Sequence, residues 1–260
     1  MDALRGQEVV KRMAKVKINL SEDGQKELLE KINELEHSLN YQKKANRTLR
    51  KKNKHLKKTL EQTIAIMVKV AEMKDPYTVG HQARVSQLAT AIAKKMNLPD
   101  EKVESIRIAS LIHDVGKVSI PTEILNKPSR LTDSEFALIK RHPEVFYKSI
   151  KNIDFPVKVA DIILQHHERV NGSGYPKGLK DDQILIEAKI VSVADVVESM
   201  SYKRPYRDAL GLDKAIEELS KNEGQLYEPE VVEVCKKLLK EDGFKFEEIT
   251  NNDTVNNNAK

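Results

Sequence analysis

From Leu28 to Val70 the chain repeats at alternating steps of four and three residues: Leu28, Ile32, Leu35, Leu39, Gln42, Asn46, Leu49, Asn53, Leu56, Leu60, Thr63, Met67 and Val70. Neither Pro nor Gly interrupts this stretch, so the spacing predicts one long helix with a heptad seam. Pro76 and Gly80 then break the pattern. Beyond them the period is that of amphipathic helices in a globular domain. Val85, Leu88, Ala89 and Ile92 share one face, which ends near Asn97, and Pro99 opens a helix leading down to His113. Ile106, Ala109, Ile112 and His113 keep to one side of that helix. If it continues, His113 and Lys117 lie one turn apart. Thr132 forms a capping box with Glu135, and the helix it starts carries Ile139 and His142 on one side before Pro143.

Pro156 begins another helix through Val159, Ile163 and Leu164, which runs into His166-His167-Glu168. Asn171-Gly172-Ser173-Gly174-Tyr175-Pro176 is a dense turn signal. Helix returns over Ala188 to Met200, and two more amphipathic helices are expected at 213–221 and 229–241. No strand-like alternation appears, so the fold class is all-α. Four segments follow: a polar N-terminal stretch 1–27, a coiled-coil or linker helix 28–70, a helical domain 71–248, and an Asn-rich tail 249–260 expected to be disordered.

Composition refines this picture. Charged residues make up 33% of the 260 and aromatics 5%, a balance that favours charge-laced helices over sheet. The net charge of +5 is local: residues 43–58 hold nine Lys and Arg and no acid, leaving 36 basic against 40 acidic residues elsewhere. No aromatic stacking residues accompany that run, which argues against a nucleic-acid polymer as partner. No window reaches the roughly 18 apolar residues of a membrane span, and Met1 to Val10 lacks the basic start and apolar core of a signal peptide. A cytoplasmic location is expected. The single cysteine, Cys235, lies among Val231, Val234 and Leu238 as a core thiol. Asn46 and Asn53 at a positions of the seam favour a parallel homodimer through 28–70. Lys43, Arg50, Lys52 and Lys57 flank the seam and would repel across such a dimer, so a single solvated helical linker is the alternative.

The chemistry concentrates in His81, His113, His142, His166 and His167, all at helix ends or breaks, where several helices can point into one cleft. By itself His113-Asp114 could merely close a helix, with Lys117 answering the macrodipole. With the other histidines and Asp195, however, the set offers seven nitrogen and oxygen ligands. That is too many for one tetrahedral ion and suits two octahedral ions sharing Asp114. The lack of Cys ligands argues against structural zinc or an iron–sulfur cluster. Iron or manganese fits imidazole with carboxylate best, and zinc stays open. Two divalent ions against two carboxylates leave about +2, a cavity suited to a phosphate. Lys117 would neutralise a non-bridging oxygen.

His81, His113-Asp114 and Asp195 resemble the H…HD…D signature of the HD superfamily of metal-dependent phosphohydrolases. HDVGK (113–117), RHPE (141–144), HHERVNGSGYP (166–176), VADVVESM (193–200) and KRPYR (203–207) resemble, in order and spacing, the HD-GYP family of cyclic di-GMP phosphodiesterases. The resemblance covers about residues 72–240 and leaves out the heptads. It implies an HD-type helical bundle and a metal-dependent phosphodiesterase that hydrolyses cyclic di-GMP to linear pGpG, to GMP, or to both, in bacterial second-messenger signalling. It assigns metal ligation to His81, His113, Asp114, His142, His166, His167 and Asp195, with Asp114 and Lys117 catalytic. It places Lys117, Arg204 and Arg207 near substrate phosphates and Gly174, Tyr175 and Pro176 in the loop bordering the site.

Two positions depart from that family. Tyr77 stands where some members have a Glu for a third metal, so two metals are expected. Glu198 stands where an Asp is commoner, which predicts an altered reach. Two rivals follow from the same residues. One is a cyclic-dinucleotide-binding module whose heptad helix reports occupancy to a signalling partner protein. The other is an HD phosphohydrolase for a different nucleotide.

Overall fold

The computed structural model describes residues 21–75, 78–153, 155, 158–202 and 209–247. Tyr77, Pro156, Arg204, Arg207 and the tail lie outside the described residues. The chain divides into two units, Met1–Thr59 and Leu60–Lys260. The heptad pattern forms α1 (Glu22–Lys74), a single helix of 53 residues with Glu22 and Asp23 in its first turn, where they complement the macrodipole. In the first unit its seam stays on the surface: Leu35 is 68% exposed and Leu56 64%. In the second unit Ile64, Ala65, Val68 and Ala71 are buried, so the last turns of α1 join a core. Arg107 holds α1 just before those turns, reaching Glu61 Oε2 at 3.3 Å, while its Nε donates to its own helical neighbour Glu104 at 2.8 Å.

The second unit continues with α2 (His81–Lys95), α3 (Asp100–Ile112), a 3-10 turn (Val115–Ser119), α4 (Thr122–Leu125), α5 (Asp133–Ile139), α6 (His142–Ile150) and α7 (Val159–Gln165). After the Asn171–Pro176 loop come α8 (Ile186–Ser201), α9 (Leu212–Lys221) and α10 (Pro229–Lys240). Among the described residues the only β pairing is in isolated bridges, such as Asn171 with Lys180, so the all-α expectation holds. α8 is the centre of the bundle. Its Ile190, Val191, Val193, Ala194 and Val197 are all fully buried, as a helix enclosed by its neighbours on most sides requires. α2, α3, α7, α9 and α10 pack against it. No helix among the described residues is long and apolar enough to cross a membrane.

Two local expectations fail. α3 does not continue through His113; it stops at Ile112 and the chain tightens into the 3-10 turn. Gly116 explains this: a Cβ there would lie 2.1 Å from the carbonyl oxygen of His142, so the backbone must pass directly under α6. Lys117 therefore faces Asp114 three residues back and is not stacked one turn from His113. Likewise, the capped helix from Thr132 ends at Ile139, although its capping box with Glu135 is present. His142 opens a new helix, with Pro143 in the first turn, where its missing N–H costs nothing.

Candidate metal centre

Helix ends deliver most of the site. Gly80, at φ 74°, caps α2 and presents His81 as its first residue, and the Gly80 N–H donates to Glu72 Oε1 at 2.8 Å. The positive φ suits a residue without Cβ. His113 ends α3, His142 starts α6 and His166 ends α7, while Asp195 projects from the middle of α8. His81, His113, Asp114, His142 and His166 are buried.

The orientation of the imidazoles is set by the backbone. Nδ1 of His113 donates to the carbonyl of Ser110 at 2.7 Å, that of His142 to Ile139 at 2.8 Å, and that of His166 to Ile163 at 2.6 Å. A carbonyl can only accept, so in each ring the proton of the neutral form sits on Nδ1 and Nε2 carries a lone pair. These three Nε2 atoms and Asp114 Oδ1 are buried without a hydrogen-bond partner. Burying unpartnered acceptors is costly unless a cation meets them, so the donor set fits a metal.

The lone pairs form two groups with Asp114 in both: Asp114, His142, His166 and His167 in one, and His81, His113 and Asp114 in the other, each within 4.8 Å. Asp114 Oδ1 is 3.3 Å from His142 Nε2. Its Oδ2 is 3.5 Å from His113 Nε2 and 3.7 Å from His81 Nε2. Asp195 Oδ1 belongs to the second side, 3.3 Å from His81 Nε2 and 3.9 Å from His113 Nε2. Two ligands about 2.1 Å from an ion and at right angles are roughly 3 Å apart, close to these separations. One carboxylate thus faces two ligand groups with different oxygens.

Electrostatics put His113, His166, His167 and Asp114 in their ligating forms. Burial pulls His113 below the ordinary 6.5 against the opposing pull of Asp114 and Asp195, and burial with neighbouring imidazoles holds His166 and His167 well below it. Burial raises the Asp114 carboxyl, but Lys117 and the adjacent histidines outweigh it and keep the group well below 3.8. Lys117 Nζ lies 2.6 Å from Asp114 Oδ2. Neutral imidazole and ionised carboxylate are the states that bind metal.

The turn-rich loop borders this cluster. The Tyr175 N–H donates to the carbonyl of His167 at 3.2 Å, and the rings of Tyr175 and His167 stack with centroids 4.7 Å apart. The Tyr175–Pro176 peptide is cis. Gly174 is dictated by close approach, since a Cβ there would lie 2.4 Å from Glu168 Cα. Sequence reasoning missed the residue that shapes the loop. Buried Glu168 accepts the N–H groups of Lys177 at 2.7 Å and Leu179 at 2.9 Å, and its place after two histidines was the available signal. Also missed was Arg84, three residues after His81 on the same helical face. It holds Glu198 through Nε at 2.9 Å and a second nitrogen at 2.6 Å. Glu198 in turn accepts from His81 Nδ1.

The HD domain profile matches residues 65–231. The chain belongs to the HD domain family. Among curated proteins, this HD chain is 40% identical over 184 residues to a cyclic di-GMP phosphodiesterase of Thermotoga maritima, a match covering 70% of the chain and 50% of the relative. It is 37% identical over 174 residues to the cyclic di-GMP phosphodiesterase response regulator RpfG of Xanthomonas campestris pv. campestris, covering 66% and 46%. The chain thus spans about half the length of these relatives. Among solved structures it resembles Bd1817, a HDG"Y"P protein from Bdellovibrio bacteriovorus, with TM-score 0.52 and 25% identity, covering 62% of this chain and 51% of that one.

Proposed function

We propose that this HD domain is a metal-dependent phosphodiesterase acting on cyclic di-GMP, with two divalent ions, iron or manganese, held across Asp114. The observation that carries the reading is the division of Asp114 between two ligand groups, Oδ1 toward His142 and Oδ2 toward His113 and His81. His81, His113 and Asp195 would complete one half, and His142, His166 and His167 the other. Bound there, the ions supply an activated water and stabilise charge on the phosphoryl oxygens. Lys117, 22% exposed beside Asp114, is placed to meet a non-bridging oxygen of the scissile phosphate. Tyr175 walls the cleft beside His167, and the loop held by Glu168 limits how a guanine dinucleotide enters. Arg204 and Arg207 are assigned to substrate phosphates by their sequence motif alone. The chemical names of the curated relatives support the choice of cyclic di-GMP.

The exposed seam of α1 supports a second part of the reading, a parallel homodimer through residues 28–70 in the cytoplasm. A heptad seam open to water over several turns finds its match in a second copy in register.

The test is anaerobic purification, elemental analysis per chain, and incubation of that sample with cyclic di-GMP and with a mixed guanine–adenine cyclic dinucleotide. Two metals with turnover of cyclic di-GMP to pGpG or GMP are expected. Tight binding without turnover would move the reading to a receptor. Turnover of the mixed dinucleotide alone would change the substrate.

A further inference from the structure

The histidines of the centre are anchored in two different ways. His113 and His166 each donate Nδ1–H to the carbonyl three residues earlier, in the helix they close, and His142, which opens α6, donates to the carbonyl of Ile139 at the end of α5, so all three anchors are local backbone. His81 also begins its helix, but its anchor comes from far along the chain. Its Nδ1 meets Oε2 of Glu198, on α8 and 117 positions away. Glu198 is 1% exposed and is itself clamped by Arg84, whose Nε and a second nitrogen take Oε1 at 2.9 and 2.6 Å. Arg84 lies over the Tyr202 ring at 3.9 Å, which fixes the guanidinium plane. The Arg84–Glu198 pair therefore supports His81 by a carboxylate reaching across the core, whereas His113 in the same half and His142 and His166 in the other rest on local backbone.

We propose that Glu198, clamped by Arg84, is a positioning residue for the ion bound by His81, His113 and Asp195, and that it leaves the ion on the His142, His166 and His167 side unaffected. The inference rests on the two-ion reading above. A carboxylate behind a ligating imidazole fixes its tautomer and raises its basicity, and losing such a partner costs about 10–100-fold in metal affinity. Glu198→Gln keeps the shape and an acceptor oxygen but removes the charge, so the affinity of one ion should fall by that order while the other is unchanged. The unchanged ion serves as an internal control for folding.

The experiment titrates the metal-free full chain with manganese(II) alone and counts free ion by electron paramagnetic resonance. His81→Ala and His167→Ala identify which binding step belongs to which half. In Glu198→Gln the step lost in His81→Ala should weaken about 10–100-fold and the step lost in His167→Ala should stay. Arg84→Lys, which keeps the charge but not the two-point clamp, should weaken that same step less. If Glu198→Gln does not fold, Arg84→Lys decides alone. Equal weakening of both steps, or no change in either, would overturn the inference. Failure of the unmodified chain to take up two ions would instead overturn the two-ion reading, so the two failures are distinguishable.

Discussion

The two units of the chain put similar residues to opposite uses. In residues 22–59 the leucines recur as regularly as anywhere in the protein, yet Leu35, Leu39, Leu49 and Leu56 remain exposed. In the unit from Leu60 onward, Val85, Leu88, Ile106, Ile163 and Ile190 are enclosed by helices from distant parts of the chain. A single helix cannot bury its own stripe, however periodic, whereas a bundle can also bury polar groups. It is the second capacity that creates chemistry. The domain withdraws imidazole nitrogens and a carboxylate oxygen from water and leaves them facing one another. In the helix, by contrast, the polar residues are the solvated surface.

The strongest attack on the domain side of this comparison is Asp114→Ala. Removing the shared carboxylate should empty both halves of the centre and lower the rate by about 10⁴-fold or more, read by elemental analysis and product formation. Full retention of two metals would sink the bridging role. Next is Gly116→Ala, which would drive a Cβ to 2.1 Å from the carbonyl of His142. Overpacking of this kind costs on the order of 3 kcal/mol, so the urea midpoint should fall accordingly, and an unchanged midpoint would show that the turn relaxes freely.

Deleting residues 1–58 sharpens the other side. The remaining domain should sediment as a monomer and keep its metal, because the exposed leucines at 35, 39, 49 and 56 are gone and the core residues of α1 are kept. A dimer after deletion would remove the coiled-coil argument. The smallest effect concerns pH in the metal-free protein. Burial lowers the imidazoles of His113, His166 and His167 from the ordinary 6.5. The unfolded chain then takes up protons at a higher pH than the folded one. Their contribution is therefore complete above about 6.5 and is lost as pH falls below it. Thermal melts at pH 7.5 and 5.5 should show the lower midpoint at 5.5, and equal midpoints would mean these groups are not held neutral.

The reading of individual residues divides along the same line. The capping box at Thr132, the helix after Pro99 and the long helix of the heptads were legible because each depends on neighbours within a few positions. The gathering of histidines at helix ends was legible as composition around breaks. The break after Ile112 was not, because it follows from Gly116 passing under His142, a contact between segments that no local period records. Arg84 was hidden for the same reason. A lone Arg on an amphipathic face reads as solvated until Glu198 arrives beside it from α8.

By itself, then, the sequence determined the helical elements, the all-α class, the inventory of ligands and the resemblance to HD phosphohydrolases, since side-chain spacing and turn chemistry act over one or two turns. Only the tertiary structure decided that Asp114 splits its oxygens between two groups and that Glu198 stands behind His81. Each of those depends on distances between atoms far apart along the chain, and such distances exist only after the core around α8 has closed.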